Sequence, residues 1–233
     1  LAIRYMLFFM VVLPSEGVSQ SVVQSLHNLS VTGPGEVRSN SESEVCVFCH
    51  TPHNSLPSSP LWNKDDPGYT YTLYHSSTVQ AAPGQPDGSS ILCLSCHDAA
   101  TALGNVLSRA TDIAFSEGVT LLPPGSSNMS TDLADDHPIS FDYTTALAAA
   151  DGQLKDPAAI IAPVILEKGR VQCVSCHDPH RNLTSDFLLI TTQFSELCFS
   201  CHNRDYWSFS SHSTSLATWN GNGRNPWPRS DYL

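Results

Sequence analysis

The sequence predicts a mostly irregular chain with short α-helices and few or no strands, folded around something other than its own side chains. Three observations carry this expectation. Apolar periodicity is poor, with neither helical heptads nor long alternating stretches. Pro, Gly and Ser punctuate the chain every few residues, as in Pro57-Ser58-Ser59-Pro60 and Pro83-Gly84-Gln85-Pro86-Asp87-Gly88. All eight cysteines fall in four copies of one short motif, C-x-x-C-H. At 233 residues the chain is long enough for one domain or two small ones. So broken a chain struggles to bury a core from its side chains alone.

From the N-terminus, residues 1–19 read as a secretory signal peptide. Arg4 supplies a positive region, Tyr5 to Leu13 an apolar run too short to span a bilayer, and Gly17-Val18-Ser19 the small residues of a cleavage site. No other segment is apolar and long enough to be transmembrane. Leu1 is not an initiating Met, so the sequence also reads as a window of a longer chain. Residues 20–202 hold all four motifs, and 203–233 form an aromatic tail with Tyr206, Trp207, Phe209, Trp219, Trp227 and Tyr232. Helices are expected at Cys93 to Arg109 and at Tyr143 to Ala150. The long stretch from Asp98 to Gln172 contains a Pro- and Gly-rich loop around Leu121 to Gly125.

Acids outnumber bases 22 to 11, for a net charge of -11. That balance opposes binding to nucleic acid or to an anionic membrane. It suits a cationic protein or a mineral partner.

The motifs are Cys46-Val47-Phe48-Cys49-His50, Cys93-Leu94-Ser95-Cys96-His97, Cys173-Val174-Ser175-Cys176-His177 and Cys198-Phe199-Ser200-Cys201-His202. Zinc sites, thioredoxin-like redox pairs and disulfide frameworks all use paired cysteines. None of them requires a His after every second Cys. With ten His in 233 residues, chance places one there about once in 23, and four times running roughly once in 300,000. Two cysteines three apart can form thioethers to one haem, and the following His then lies over the iron. The expectation is four covalently bound haem c groups. Cys46, Cys49, Cys93, Cys96, Cys173, Cys176, Cys198 and Cys201 are the attachment points, and His50, His97, His177 and His202 the proximal iron ligands.

Six His lie outside the motifs: His27, His53, His75, His137, His180 and His212. Outside the leader only Met129 could serve as a thioether ligand. Bis-His ligation is therefore available to every iron, and saturated irons favour electron transfer over substrate binding. His53 and His180 each follow a motif His by three residues. A residue so close cannot reach around its own porphyrin, so either one, if it ligates, serves a different haem. His137 sits in Asp135-Asp136-His137-Pro138, where the acids are placed to orient the ring. His27 has apolar flanks suited to a haem edge. His212 and His75 lie in Ser/Thr-rich stretches and are reserve candidates.

Asn28, Asn128 and Asn182 match glycosylation sequons, a short and common pattern. Trp62 reads as haem packing. No paired carboxylates suggest acid–base catalysis. Eight propionates against four ferric cores would add about four negative charges, and Arg109, Arg170, Arg181 and Arg204 are candidate partners.

The sequence resembles the doubled C-x-x-C-H multihaem cytochromes. Leu26-His27-Asn28-Leu29-Ser30, the first motif extended to Thr51-Pro52-His53, Pro60-Leu61-Trp62-Asn63, the second motif with Asp98, His137-Pro138-Ile139-Ser140, and the third motif extended to Asp178-Pro179-His180 recur in that order over residues 25–202. Within these it is most similar to the tetrahaem cytochromes that polymerise into extracellular nanowires. The resemblance implies mostly coil around a continuous chain of closely packed haems. It implies that His27, His53, His137 and His180 are the distal ligands, and that His53 ligates a haem of the adjacent subunit in a homopolymer. The tail, with Trp207, His212 and Trp219-Asn220-Gly221, is more like longer multihaem members in which further motifs follow. The function expected is electron transfer, not catalysis, by a protein secreted to a prokaryotic periplasm or cell surface. Its electrons would pass to redox partner proteins or an extracellular acceptor. A monomeric shuttle and, more remotely, a multihaem reductase with an open haem are the alternatives.

Overall fold

The computed structural model describes residues 22–182, 184–205 and 207–209. The proposed signal peptide, most of the aromatic tail and His212 lie outside the described residues. Regular structure is sparse. Helix α1 spans Gly88–His97, α2 Thr145–Asp151 and α3 Glu196–Phe199. Strands β1 (Phe141–Asp142) and β2 (Arg170–Val171) pair antiparallel, Phe141 opposite Val171. The other described elements are 3-10 turns, including Val45–Phe48 and Cys173–Ser175. This is the mostly irregular, short-helix architecture that the punctuated sequence predicts.

The helix expected from Cys93 to Arg109 is corrected at both ends: α1 begins at Gly88 and stops at His97. The stop has a local cause. The buried Asp98 carboxylate accepts from the backbone N–H groups of Ala100 (2.9 Å) and Thr101 (2.8 Å), which turns the chain. Beyond it the backbone is committed elsewhere: Leu103 N donates to Thr120 O, and Ile113 N to Gly104 O. Gly104 is required there, since a Cβ would stand 2.0 Å from Ile113 O. Helix α2 is near its expected place. The Thr144 hydroxyl accepts from Leu147 N at 3.1 Å as the N-cap, and Gly152, at φ 76°, ends the helix.

Buried apolar side chains gather in three small clusters. Val47, Phe48, Leu103, Val106, Ile113 and Phe115 form the first, with Cys49 and Cys96 packed against it. Tyr71, Leu94 and Leu133 form the second, Phe141, Tyr143 and Val171 the third, with Cys201 at its edge. Each cluster thus abuts or contains part of a C-x-x-C-H motif.

Between α1 and β2 lies a polar lock. Ser140 Oγ donates to Gln172 Oε1 (2.9 Å), Gln172 Nε2 to Asp87 Oδ1 (2.7 Å), and Arg170 pairs with Asp87. Ser90 Oγ accepts from Cys173 N at 3.0 Å. The lock brings the second motif, at the end of α1, against the third.

Candidate functional site

Each motif presents its His by the same device, one tight turn. His50 N donates to Cys46 O (2.8 Å), His177 N to Cys173 O (3.0 Å) and His202 N to Cys198 O (2.9 Å). In the second motif, α1 supplies the turn. All eight cysteines are free thiols, as thioether attachment requires and a disulfide framework does not. Among the described residues no group of three or more His, Cys, Asp or Glu converges as a zinc site would.

The motifs form a connected row. Burial pushes the Cys49 thiol up to about 12, with Cys96 of the second motif adding to the effect. A hydrogen bond from the Cys93 thiol to Cys173 of the third motif, and then burial, push the Cys93 thiol well above its ordinary value. Burial pushes Cys176 up to about 11, and Cys201 of the fourth motif is the next cause. The cysteine pairs of successive motifs therefore neighbour one another, first to second to third to fourth.

Three motif histidines face a second imidazole. His50 and His180 have ring centroids 5.9 Å apart with planes at 12°. His97 and His27 stand 6.1 Å apart at 71°. His202 and His137 stand 6.3 Å apart at 77°. Each pair joins one motif His to one outside the motifs. A metal-bound imidazole nitrogen lies about 2 Å from its metal, with the ring centroid roughly 1.1 Å behind, so two rings across one iron have centroids about 6.2 Å apart. All three separations fit.

The other ring nitrogen fits as well in four of these histidines, whereas His202 Nδ1 is buried without a hydrogen-bond partner. Nδ1–H donates to a backbone carbonyl in His97 (Ser127 O, 2.7 Å), His137 (Pro138 O, 2.9 Å), His177 (Asp186 O, 2.8 Å) and His27 (Pro179 O, 3.2 Å). This fixes the tautomer and leaves Nε2 available to a metal. Burial lowers the pKa of His27, and burial followed by His137 lowers that of His202, which favours the neutral ring that a metal would need. The Trp62 indole N–H is buried without a partner, beside His50 with ring centroids 5.9 Å apart. It is a donor of the kind a haem carboxylate would accept from.

The remaining predicted residues behave differently. His177 has its Nδ1 engaged but no facing ring among the described residues, and it is exposed. His180, three residues away, faces His50 instead. His53 and His75 are exposed and have no ring contact among the described residues. The His137 ring bonds to the Pro138 carbonyl, where the sequence pointed to Asp135 or Asp136. Arg109 is engaged by Glu42 and Glu44, and Arg170 by Asp87 and Asp142, which leaves Arg181 and Arg204 as the exposed candidates for propionates. Asn28 is fully buried, which closes its sequon in the folded chain.

Sequence reasoning missed Lys64, which is fully buried in the first-motif region. It lies in a run of Asn63-Lys64-Asp65-Asp66 that reads as solvated surface, and no local pattern marks it. Among the described residues no helix is long and apolar enough to cross a membrane.

Comparison with known families matches residues 166–206, the third and fourth motifs, to the family described as the doubled CXXCH motif. That motif indicates covalently bound c-type haem and points to a haem-binding electron-transfer cytochrome. No curated protein matches the chain.

Proposed function

We propose that this chain is a secreted electron carrier with four c-type haems in a row, and that copies join into an extracellular conduit in which His53 of one copy ligates the iron held by His177 of the next. Haem supplies the one-electron iron couple. The protein attaches it, saturates it and sets neighbouring groups close together. In this reading His50 with His180, His97 with His27, and His202 with His137 would each hold one iron within one chain. His180 and His177 lie three residues apart yet serve different irons, which ties the first and third haems through a short backbone link.

The observation that carries the proposal is the mismatch between supply and demand. Three motif histidines have a facing partner; His177 has none among the described residues, while His53 stands exposed with no ring beside it. Each copy would thus need one ligand at His177, and His53, closer to a motif than the likewise exposed His75, is the one offered in this reading. Such a head-to-tail contact is heterologous and generates open filaments unless it closes into a ring.

The same observation favours one rival: an iron left open at His177 would be a candidate catalytic site, since enzymes need an open coordination position. A His53→Ala variant separates them. The conduit predicts loss of filaments with four haems still attached per chain, and one five-coordinate, high-spin iron in every dissociated subunit. Normal filaments from the variant would refute the conduit. High-spin iron that persists in assembled wild-type protein would favour the enzyme.

A further inference from the structure

Among the described residues Lys64 is the largest fully buried ionisable side chain, and the site leaves it unexplained. Its side chain is 0% exposed. Its Nζ donates to three backbone carbonyls, Ala102 O (2.9 Å), Leu103 O (3.1 Å) and Asn105 O (3.0 Å). A neutral amine has only two N–H bonds, so three donations identify an ammonium. Among the described residues no carboxylate lies within ion-pair distance of it. Peptide dipoles solvate this charge but do not cancel it. In a low-dielectric interior it acts over a longer range than a surface charge does.

Its position is between the first two motifs. The preceding residue, Asn63, donates its backbone N–H to Cys49 O at 2.9 Å. The three carbonyls belong to the segment that follows the second motif. One of them, on Leu103, belongs to a residue of the apolar cluster against which both Cys49 and Cys96 pack. Lys155, which donates to Phe199 O in the fourth motif, is only partly buried and is screened by solvent. Lys168 makes no such contact.

We propose that Lys64 is a built-in positive charge that raises the reduction potentials of the two haems held at Cys46–His50 and Cys93–His97. The proposal rests on the four-haem reading above. A fixed cation disfavours the more positive ferric state, so an electron is held more readily at these two sites than bis-His ligation alone would give. Lys64 touches no iron ligand; it acts as a tuning residue through its charge.

The test is a potentiometric titration of the haem-loaded protein, followed by visible absorption, for wild type, Lys64→Gln and Lys64→Arg. Gln is neutral and retains two N–H donors for the carbonyls. Two of the four midpoints are expected to fall in Lys64→Gln by about tenfold in the reduction equilibrium, which is 59 mV for a one-electron couple. The other two midpoints hold, and Lys64→Arg restores the wild-type pattern. Four attached haems with all midpoints unmoved in Lys64→Gln would overturn the proposal. Fewer than four haems in the wild type would instead refute the reading on which it rests. Should Lys64→Gln fail to fold, a Lys155→Arg/Lys168→Arg protein leaves Lys64 as the sole lysine for nitrogen-15 labelling. A slowly exchanging ammonium signal in the reduced protein, displaced when the haems are oxidised, is expected. No ammonium signal, or one indifferent to oxidation, would overturn the proposal.

Discussion

The third motif and the first make opposite use of the same local sequence. Both continue three residues past the motif His to a second His, through Thr51-Pro52 in one case and Asp178-Pro179 in the other. In the third motif that second His, His180, is exposed but faces the His50 ring, with centroids 5.9 Å apart. In the first, His53 is exposed with no ring beside it among the described residues, and the Thr51 hydroxyl donates to its backbone carbonyl at 2.7 Å. The difference teaches that spacing decides where a ligand cannot go, while packing decides where it does. Having given His180 to the first motif, the third is left without a facing ring among the described residues, and the surplus His53 is the residue that the first motif does not use.

Breaking this asymmetry at its closed side gives the largest effect. In His180→Ala the iron at His50 loses its distal ligand, so one more haem per chain becomes five-coordinate and high-spin, read by magnetic circular dichroism of the assembled protein. If every haem stays low-spin, His180 is not a ligand. Free imidazole should return that iron to the low-spin state.

The geometry of the closed pairs sharpens the comparison without a mutation. Parallel imidazole planes split the two iron d orbitals that share the odd electron, and perpendicular planes leave them nearly degenerate. The planes lie at 12° in the His50–His180 pair, against 71° and 77° in the others. Electron paramagnetic resonance of the oxidised protein should therefore show two classes of low-spin iron, and the rhombic signal should lose the intensity of one iron per chain in His180→Ala. A single class would contradict the pairing.

A smaller effect comes from the support of one pair. The loop that carries His27 closes on itself at Gly33, where a Cβ would lie 1.9 Å from Asn28 O. Gly33→Ala is expected to cost about 1–3 kcal/mol by overpacking. It should loosen the His27–His97 pair before it unfolds the chain, so thermal melting followed at the haem bands should begin below melting followed by far-ultraviolet dichroism. Coincident melts would mean that the loop does not hold His27.

Much of this was legible in the sequence. The irregular, short-helix character follows from the density of Pro, Gly and Ser, and the attachment chemistry from the invariable His after each cysteine pair. That His53 and His180 must look away from their own motifs follows from reach alone. Which ring meets which did not follow, because each pairing is made by contacts over long sequence separations, such as His27 Nδ1 with Pro179 O, 152 residues apart. The helix expected to run on to Arg109 failed for a similar reason. Leucine and alanine favour a helix there, but Asp98, the close approach at Gly104 and the carbonyls drawn to Lys64 commit that backbone to partners elsewhere. Lys64 itself was hidden, since nothing within a few residues distinguishes a buried lysine from a solvated one.

The three separate apolar clusters have a consequence for how the protein is made. Each is small for so long a chain, and two of the three lean on the cysteines of a motif while the other contains Leu94 of the second motif. A polypeptide of this kind would stay loose until its prosthetic groups are joined to it, which keeps its cysteine thiols within reach for attachment. Attachment and folding then become one process, and a chain that misses a haem is left open to proteolysis.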